Sequence, residues 1–303
     1  MIEERALRRV SATGTREVGY EEHAVFPTPY TPLDSEYARE YAEYGELHDV
    51  HVWSWRHREP APVTLLLTHG WGVGPWWMHR HEYDVPYLFH RLGLDVYFYL
   101  APFHGLRTPA QARMSGQLHP SPDLVRTNEA FIQTAIEVRA LISAIQRRNS
   151  APLGMMGSSL GGYTSALLAS LDDRLNFVIP VLPPASMAHL LWDHGEGELR
   201  ERAEVLGMSR ERFHRSWSLH SPLTHTAKVP WARADDRDRA RRHAGDRRAY
   251  ARAVGALGSA SPLSLPRRAR LAAAGQALSP RGRAIPPRAG LARGRRSLGL
   301  IHR

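Results

Sequence analysis

The 303-residue chain contains no cysteine. That excludes disulfides, cysteine-ligated zinc, iron–sulfur clusters and a thiol nucleophile, and it suits a reducing compartment. The first twenty residues lack an apolar core of the kind a secretory leader needs, so none is expected there. Nowhere do about 18 apolar residues run together, so no membrane-spanning helix is expected and the cytoplasm is the natural location. Neither a Walker A string nor G-x-G-x-x-G is present to cradle a nucleotide phosphate. Lysine is almost absent: one Lys stands against 39 Arg.

A second set of absences is local. After Trp231 there is no Phe, Trp or Glu, and Tyr250 is the sole aromatic residue. Residues 232–303 carry 18 basic and 4 acidic side chains, a net of +14, and Arg, Ala, Gly and Pro supply 48 of the 72 positions. The formal charge of +10 therefore belongs to this tail, because the first 231 residues carry 22 basic and 26 acidic side chains. A segment of that composition has little apolar surface to bury and is expected to be largely disordered, with at most short Ala-rich helices such as Arg267–Leu278.

At 43% hydrophobic the chain as a whole can build a real core. Residues 1–61 read as a lead-in, with turns at Phe26–Pro32 and an edge strand at His48–His57, where Val50 and Val52 alternate with polar neighbours. Pro62–Thr68 is a short continuous apolar run, the pattern of a strand buried on both faces. Thereafter the pattern alternates: helix near Tyr83–Leu92 stopped by Gly93, strand Leu94–Ala101, and a long amphipathic helix over Asp123–Arg148. Strand Leu153–Met156, helix Leu160–Leu171 and strand Phe177–Leu182 follow, then a charged helical stretch at Glu196–Arg215. Strands alternating with helices imply an α/β fold with a doubly wound, mostly parallel sheet. The expected units are the lead-in 1–61, a core 62–231 with a small cap-like insertion at about 183–219, and the tail 232–303.

Two motifs in that core carry chemistry. Gly157-Ser158-Ser159-Leu160-Gly161 fits G-x-S-x-G, with an apolar strand leading in and a helix leading out. Such a strand–turn–helix can present the Ser159 hydroxyl at a helix N-terminus that favours a developing anion. Its bland alternative is an ordinary turn of small residues. His69-Gly70-Trp71-Gly72 follows the earlier strand, where a glycine turn can bring a backbone N–H inward. A tetrahedral oxyanion needs two such donors, and the N–H groups of Trp71 and Leu160 form the natural pair.

With these motifs in that order, the stretch Pro62–Pro230 resembles the α/β-hydrolase family of serine hydrolases, through LLLTHGWG, PFHGLR, MMGSSLGG and HSPLTHTAKVP. The resemblance implies a mostly parallel sheet flanked by helices and hydrolysis of an ester or related acyl bond in a small-molecule substrate, without a cofactor. It makes Ser159 the nucleophile, with Trp71 and Leu160 as backbone oxyanion donors. It also implies an acid and a general-base His after the last two strands. Residues 232–303 offer only His243 and His302, with Asp235, Asp236, Asp238 and Asp246, and no β-rich run to carry them. The triad acid and base are therefore unassigned, and the last strands are missing from the pattern. His104 and Arg107 in PFHGLR are expected beside the site as packing residues. His79-Arg80-His81 with Asp84 lies in one short segment, which seldom converges on an ion, so no metal is expected. The Trp76-Trp77 pair suits packing or an acyl pocket.

The Arg excess suits a GC-rich gene, in which out-of-frame codons commonly read Arg, Ala, Gly and Pro. Shifted by one base, codons for Ala253–Ser259 permit Leu-Trp-Glu-His-Trp-Gly, those for Leu265–Arg270 permit Phe-Pro-Gly-Gly-His, and the Arg242–His243 joint permits Asp. The tail then reads either as a frameshift product or as a genuine basic extension that binds nucleic acid or acidic surfaces.

Overall fold

The computed structural model describes residues 2–11, 14–195 and 197–229. In chain order the elements are β1 (Ile2–Ser11), β2 (Gly14–Pro27), α1 (Ser35–Tyr41), β3 (Asp49–His57), β4 (Thr64–Thr68), α2 (Trp76–Glu82), α3 (Val85–His90) and β5 (Asp95–Tyr99). They continue with α4 (Leu124–Arg148), β6 (Leu153–Ser158), α5 (Leu160–Leu171), β7 (Phe177–Val181), α6 (Met187–His194), α7 (Gly197–Val205) and α8 (Arg210–Ser216). Among the described residues seven strands form one sheet in the order β1-β2-β3-β5-β4-β6-β7. Pairings from β5 through β4 and β6 to β7 are parallel, whereas β1–β2, β2–β3 and β3–β5 are antiparallel. The α/β class stands, as a mixed sheet flanked by helices.

The central strand β4 is buried along its whole length, with Leu65 and Leu67 facing one layer and Leu66 the other. Val85, Leu88 and Phe89 of α3 cover the first face, and Val138, Leu141, Ile142 and Ile145 of α4 cover the second together with Leu168 and Ala169 of α5. α4 begins where its cap dictates: the Asp123 carboxylate accepts from the Arg126 N–H. Gly93, at φ +70°, ends the α3 segment in the left-handed region that glycine enters freely.

The lead-in departs from its sequence reading. β3 is paired on both sides, by β2 and β5, so it is not an edge strand. The reason lies in residues 2–27, whose two strands add to the sheet outside it. The missing last strands, the Arg267–Leu278 helix and the disorder expected of 232–303 all fall outside the described residues. No helix among the described residues is long and apolar enough to cross a membrane.

A buried ion pair ties this architecture together. Arg107 and Glu137 are both fully buried and meet through two bonds of 2.7 and 2.8 Å. Glu137 also accepts from the Thr28 hydroxyl at 2.6 Å, the Tyr99 hydroxyl at 2.6 Å and the Gln133 amide at 2.8 Å. Arg107 donates further to the carbonyls of Leu100 and Leu47, each at 3.0 Å. Burial opposes the guanidinium charge, but the adjoining carboxylate outweighs it and raises the Arg107 pKa. The lead-in, β5, the loop after β5 and α4 thus converge on one pair. PFHGLR supplies packing here through Arg107.

Breaking such a pair from one side leaves an uncompensated buried charge. Glu137→Gln is expected to lower unfolding free energy by roughly 3–5 kcal/mol, read as a reduced urea midpoint at unchanged slope. A loss below about 1 kcal/mol would mean that the pair behaves as a solvated one.

Candidate active site

β6 runs into Ser159, and α5 starts at Leu160. Ser159 itself sits at φ +51°, ψ −113°, a conformation that a residue with a Cβ adopts only under constraint. Two hydrogen bonds hold it: its N–H donates to the Val181 carbonyl at 2.8 Å, and its carbonyl accepts from the Tyr163 N–H at 2.9 Å. The glycines of the motif answer to close packing. A Cβ at Gly157 would lie 2.1 Å from the Gly161 carbonyl oxygen, and one at Gly161 would lie 2.3 Å from the Thr68 oxygen and 2.6 Å from the His69 oxygen. The exit of β4 is thereby pressed against the start of α5.

That contact brings the two sequence motifs together. Leu160 is buried at the first position of α5, where N–H groups have no intrahelical acceptor. Trp71 lies in the turn just beyond His69 and is half exposed. Its indole N–H donates to the Gly116 carbonyl at 2.7 Å, and the Gly116 N–H donates to the Phe103 carbonyl at 2.8 Å. The turn after β4 is thus fastened to the loop after β5 by a strand of chain around Gly116 that carries no sequence signal. Tyr83 is a second residue that sequence reading missed. Its hydroxyl donates to the Thr68 carbonyl at 2.7 Å and accepts from the Ser158 N–H at 3.1 Å.

Histidines cluster behind these turns. His69 holds one tautomer, with Nδ1 donating to the Gly70 carbonyl at 2.8 Å and Nε2 accepting from the Ala101 N–H at 3.0 Å. Burial, with the neighbouring His104, pushes its pKa well below the ordinary value. His104 donates from Nδ1 to the Pro102 carbonyl at 2.8 Å, and its pKa falls to about 3 through burial and His119. His119 also falls to about 3, from burial and then His220. His220 stacks on Phe131 with ring centroids 3.9 Å apart and meets the Tyr163 hydroxyl at 3.2 Å; burial takes it to about 3. None of the hydrogen bonds of these rings among the described residues goes to the Ser159 hydroxyl. The expected acid and base, including any role for His243 or His302, lie outside the described residues.

The remaining candidates serve packing. His79 bonds Glu82 at 2.7 Å, and Arg80 faces Glu21 at 3.8 Å. No group of three or more His, Cys, Asp or Glu among the described residues is placed to hold a metal ion. Trp76 packs between Trp53 and Trp55 at centroid distances of 6.0 and 6.3 Å, whereas Trp77 is more than half exposed.

Comparison with known proteins places the chain among relatives. The model of the family described as alpha/beta hydrolase domain containing 18 matches residues 48–214. An uncharacterized protein of Mycobacterium tuberculosis, found in strains CDC 1551 / Oshkosh and H37Rv, is 32% identical over 140 residues. The match takes in 46% of this chain and 33% of that protein, so the chain spans about a third of the length of the curated relatives it matches. Among solved structures, an acetyl xylan esterase from Paenibacillus sp. R4 superposes with a TM-score of 0.49 at 13% identity, covering 75% of this chain and 70% of that one. Acetyl xylan esterase 1 from Thermoanaerobacterium sp. JW/SL YS485 gives 0.47 at 14% identity, covering 75% and 69%.

Two outcomes follow from this packing. Gly161→Ala is expected to destabilise the fold by about 3 kcal/mol, because the clash is with backbone that cannot step aside; an unchanged thermal midpoint would refute the contact. The second concerns acid. His104, His119 and His220 are neutral in the fold down to about pH 3, whereas the unfolded chain protonates them near pH 6.5. Protons therefore favour unfolding, and stability falls as pH drops through the window from 6.5 towards 3. Each ring should cost roughly 2 kcal/mol between pH 7 and pH 5, measured as a shrinking urea midpoint. A flat profile over that range would show the rings to be solvated.

Proposed function

The chain belongs to the alpha/beta hydrolase domain containing 18 family, and on that premise we propose that it is a serine hydrolase of ester or related acyl bonds, acting through an acyl-Ser159 intermediate. One observation carries the reading: Ser159 is held at φ +51° on a strand-to-helix turn whose flanking glycines leave no room for a Cβ. Strain of this kind is kept where the surrounding structure enforces it and where a hydroxyl must stand clear of its own backbone. In the proposed reaction the Ser159 Oγ forms a bond to the acyl carbon. The carbonyl oxygen takes the negative charge and is met by the N–H groups of Trp71 and Leu160. Collapse expels the alcohol with the serine proton; water then attacks the acyl carbon, its hydroxyl leaving in the acid and its other proton going to the Ser159 Oγ as the acyl bond breaks. Small-molecule acyl compounds are the substrates, and no cofactor enters. The cytoplasm is the location that suits a cysteine-free chain.

Helices α6–α8 within the 183–219 insertion are the proposed cap over the site. α6 and α8 are joined by Trp192–Phe213 at 5.2 Å between centroids and by Asp193–Arg210 at 2.9 Å, while α7 buries none of its side chains. α6 is anchored on the core through Met187 and Ala188, so it is the lightly held α7 that suits the shaping of a pocket mouth.

For the general base and its acid, we propose that the gene segment encoding residues 232–303 is read one base out of frame. The composition shift at Trp231, the Arg excess and the Asp and His permitted in the shifted frame support this. Without them the chain as translated keeps only the oxyanion share of catalysis, roughly 10³–10⁴ over water. A second reading rests on the net +14 of the same residues: a non-catalytic hydrolase-like body whose basic extension binds nucleic acid or acidic surfaces.

Resequencing across codons 225–303 separates the two, since an inserted or missing base near codon 232 supports the first and an intact frame the second. A fluorophosphonate probe tests the chemistry. Labelling of the frame-restored protein that disappears in Ser159→Ala is expected, and folded, frame-restored protein that does not label would sink the serine-hydrolase reading. For the chain as given, nucleic-acid binding that collapses between low and moderate salt would favour the second reading.

A further inference from the structure

We propose that Tyr83 is a positioning residue for acyl transfer, its hydroxyl clamping the exits of β4 and β6 and so setting the Trp71 turn against Ser159. The inference rests on the serine-hydrolase reading above and names a residue on which that site depends.

β4 and β6 run parallel and in register up to Thr68 opposite Gly157. Beyond that pair they part. β4 enters the turn that carries Trp71, three residues on, and β6 reaches Ser158 and then the left-handed Ser159. At a fork of this kind the strands can no longer satisfy each other's backbone groups. The Tyr83 hydroxyl stands in the fork and does so for both, donating to the Thr68 carbonyl and accepting from the Ser158 N–H. One oxygen atom therefore spans the two chain segments that bear the proposed oxyanion donor and the nucleophile.

The phenol is itself fixed. Tyr83 follows the last residue of α2, with its N–H on the His79 carbonyl at 3.0 Å. The next residue, Asp84, turns the chain at φ +47° into α3. The ring is buried in the apolar layer under the sheet, with Phe98 at 6.3 Å between centroids. Burial, aided by the charge of Glu82, raises the phenol pKa well above its ordinary value. The hydroxyl hence keeps its proton, and both bonds, at neutral pH.

Removing the oxygen alone separates positioning from packing, because Tyr83→Phe keeps the ring and its contacts. A displacement of about 1 Å between reacting groups can cost as much as 10²-fold in rate. In the 303-residue chain, Y83F is expected to slow fluorophosphonate labelling of Ser159 roughly tenfold or more. For any ester the chain turns over, kcat should fall while KM stays within about twofold, the signature of a group that acts on the transition state. Amide hydrogen exchange should quicken together in residues 66–72 and 155–160 and remain unchanged in α4. Wild-type labelling and exchange in Y83F would overturn the proposal, and so would loosening of only one segment. If wild type and Ser159→Ala are both unlabelled, as the absence of a base in this chain would leave them, the serine reading is decided on the frame-restored protein and exchange alone decides the clamp: coupled loosening upholds it, unchanged exchange removes it. Should Y83F not fold, 3-fluorotyrosine at position 83 grades the same bonds: slower labelling with coupled loosening upholds the clamp, and wild-type behaviour in both removes it.

Discussion

Three stretches of backbone approach one another at the ends of β4 and β6 more closely than side chains allow, and the candidate site depends on that approach. Gly157 and Gly161 face carbonyl oxygens at distances where no Cβ fits. The strained Ser159 between them is over-determined by bonds to Val181 and Tyr163. The same closeness draws the turn after β4 against the first residue of α5. Geometry, strain and the juxtaposition of the two motifs are thus one fact seen from three sides.

The second constraint is electrostatic and lies across the sheet. The Arg107–Glu137 pair is fully buried, which is costly unless every remaining bond is satisfied. Thr28, Tyr99, Gln133 and the carbonyls of Leu47 and Leu100 meet most of that demand. The consequence reaches the site indirectly, because Arg107 closes the loop whose Phe103 carbonyl receives the Gly116 N–H, and Gly116 in turn receives the Trp71 indole. A pair four elements share makes lead-in and core one packing problem, although their sequences read as separate units.

Elements with strong periodicity were legible in the sequence. The long helix over 124–148 and the helix 160–171 follow their apolar spacing, and β4 follows its unbroken apolar run. The lead-in was less so. β1 and β2 are rich in charge and lack a clean alternation, and one of their charges, Glu22, is paired with Arg56 on the neighbouring β3. With those strands unread, β3 looked like an edge. α6 within 183–219 is not legible in the sequence, since its Met187 and Ala188 pack on Leu160, Tyr163 and Leu167 of α5 and Phe131 of α4, contacts that no local pattern announces.

At the candidate site, local sequence dictated residue types and order: a serine between glycines after a strand, a glycine turn after an earlier one, and a composition break at Trp231. Long-range packing settled the rest. It placed His104, His119 and His220 as neutral buried rings behind the turns, made Arg107 a strut, and brought Tyr83, 75 residues from Ser158, into the fork between two strands. The division has a physical cause. Backbone strain and chain reversal are local and leave glycine and serine marks, whereas a hydrogen bond or a desolvated ring depends on which distant segments the sheet sets side by side.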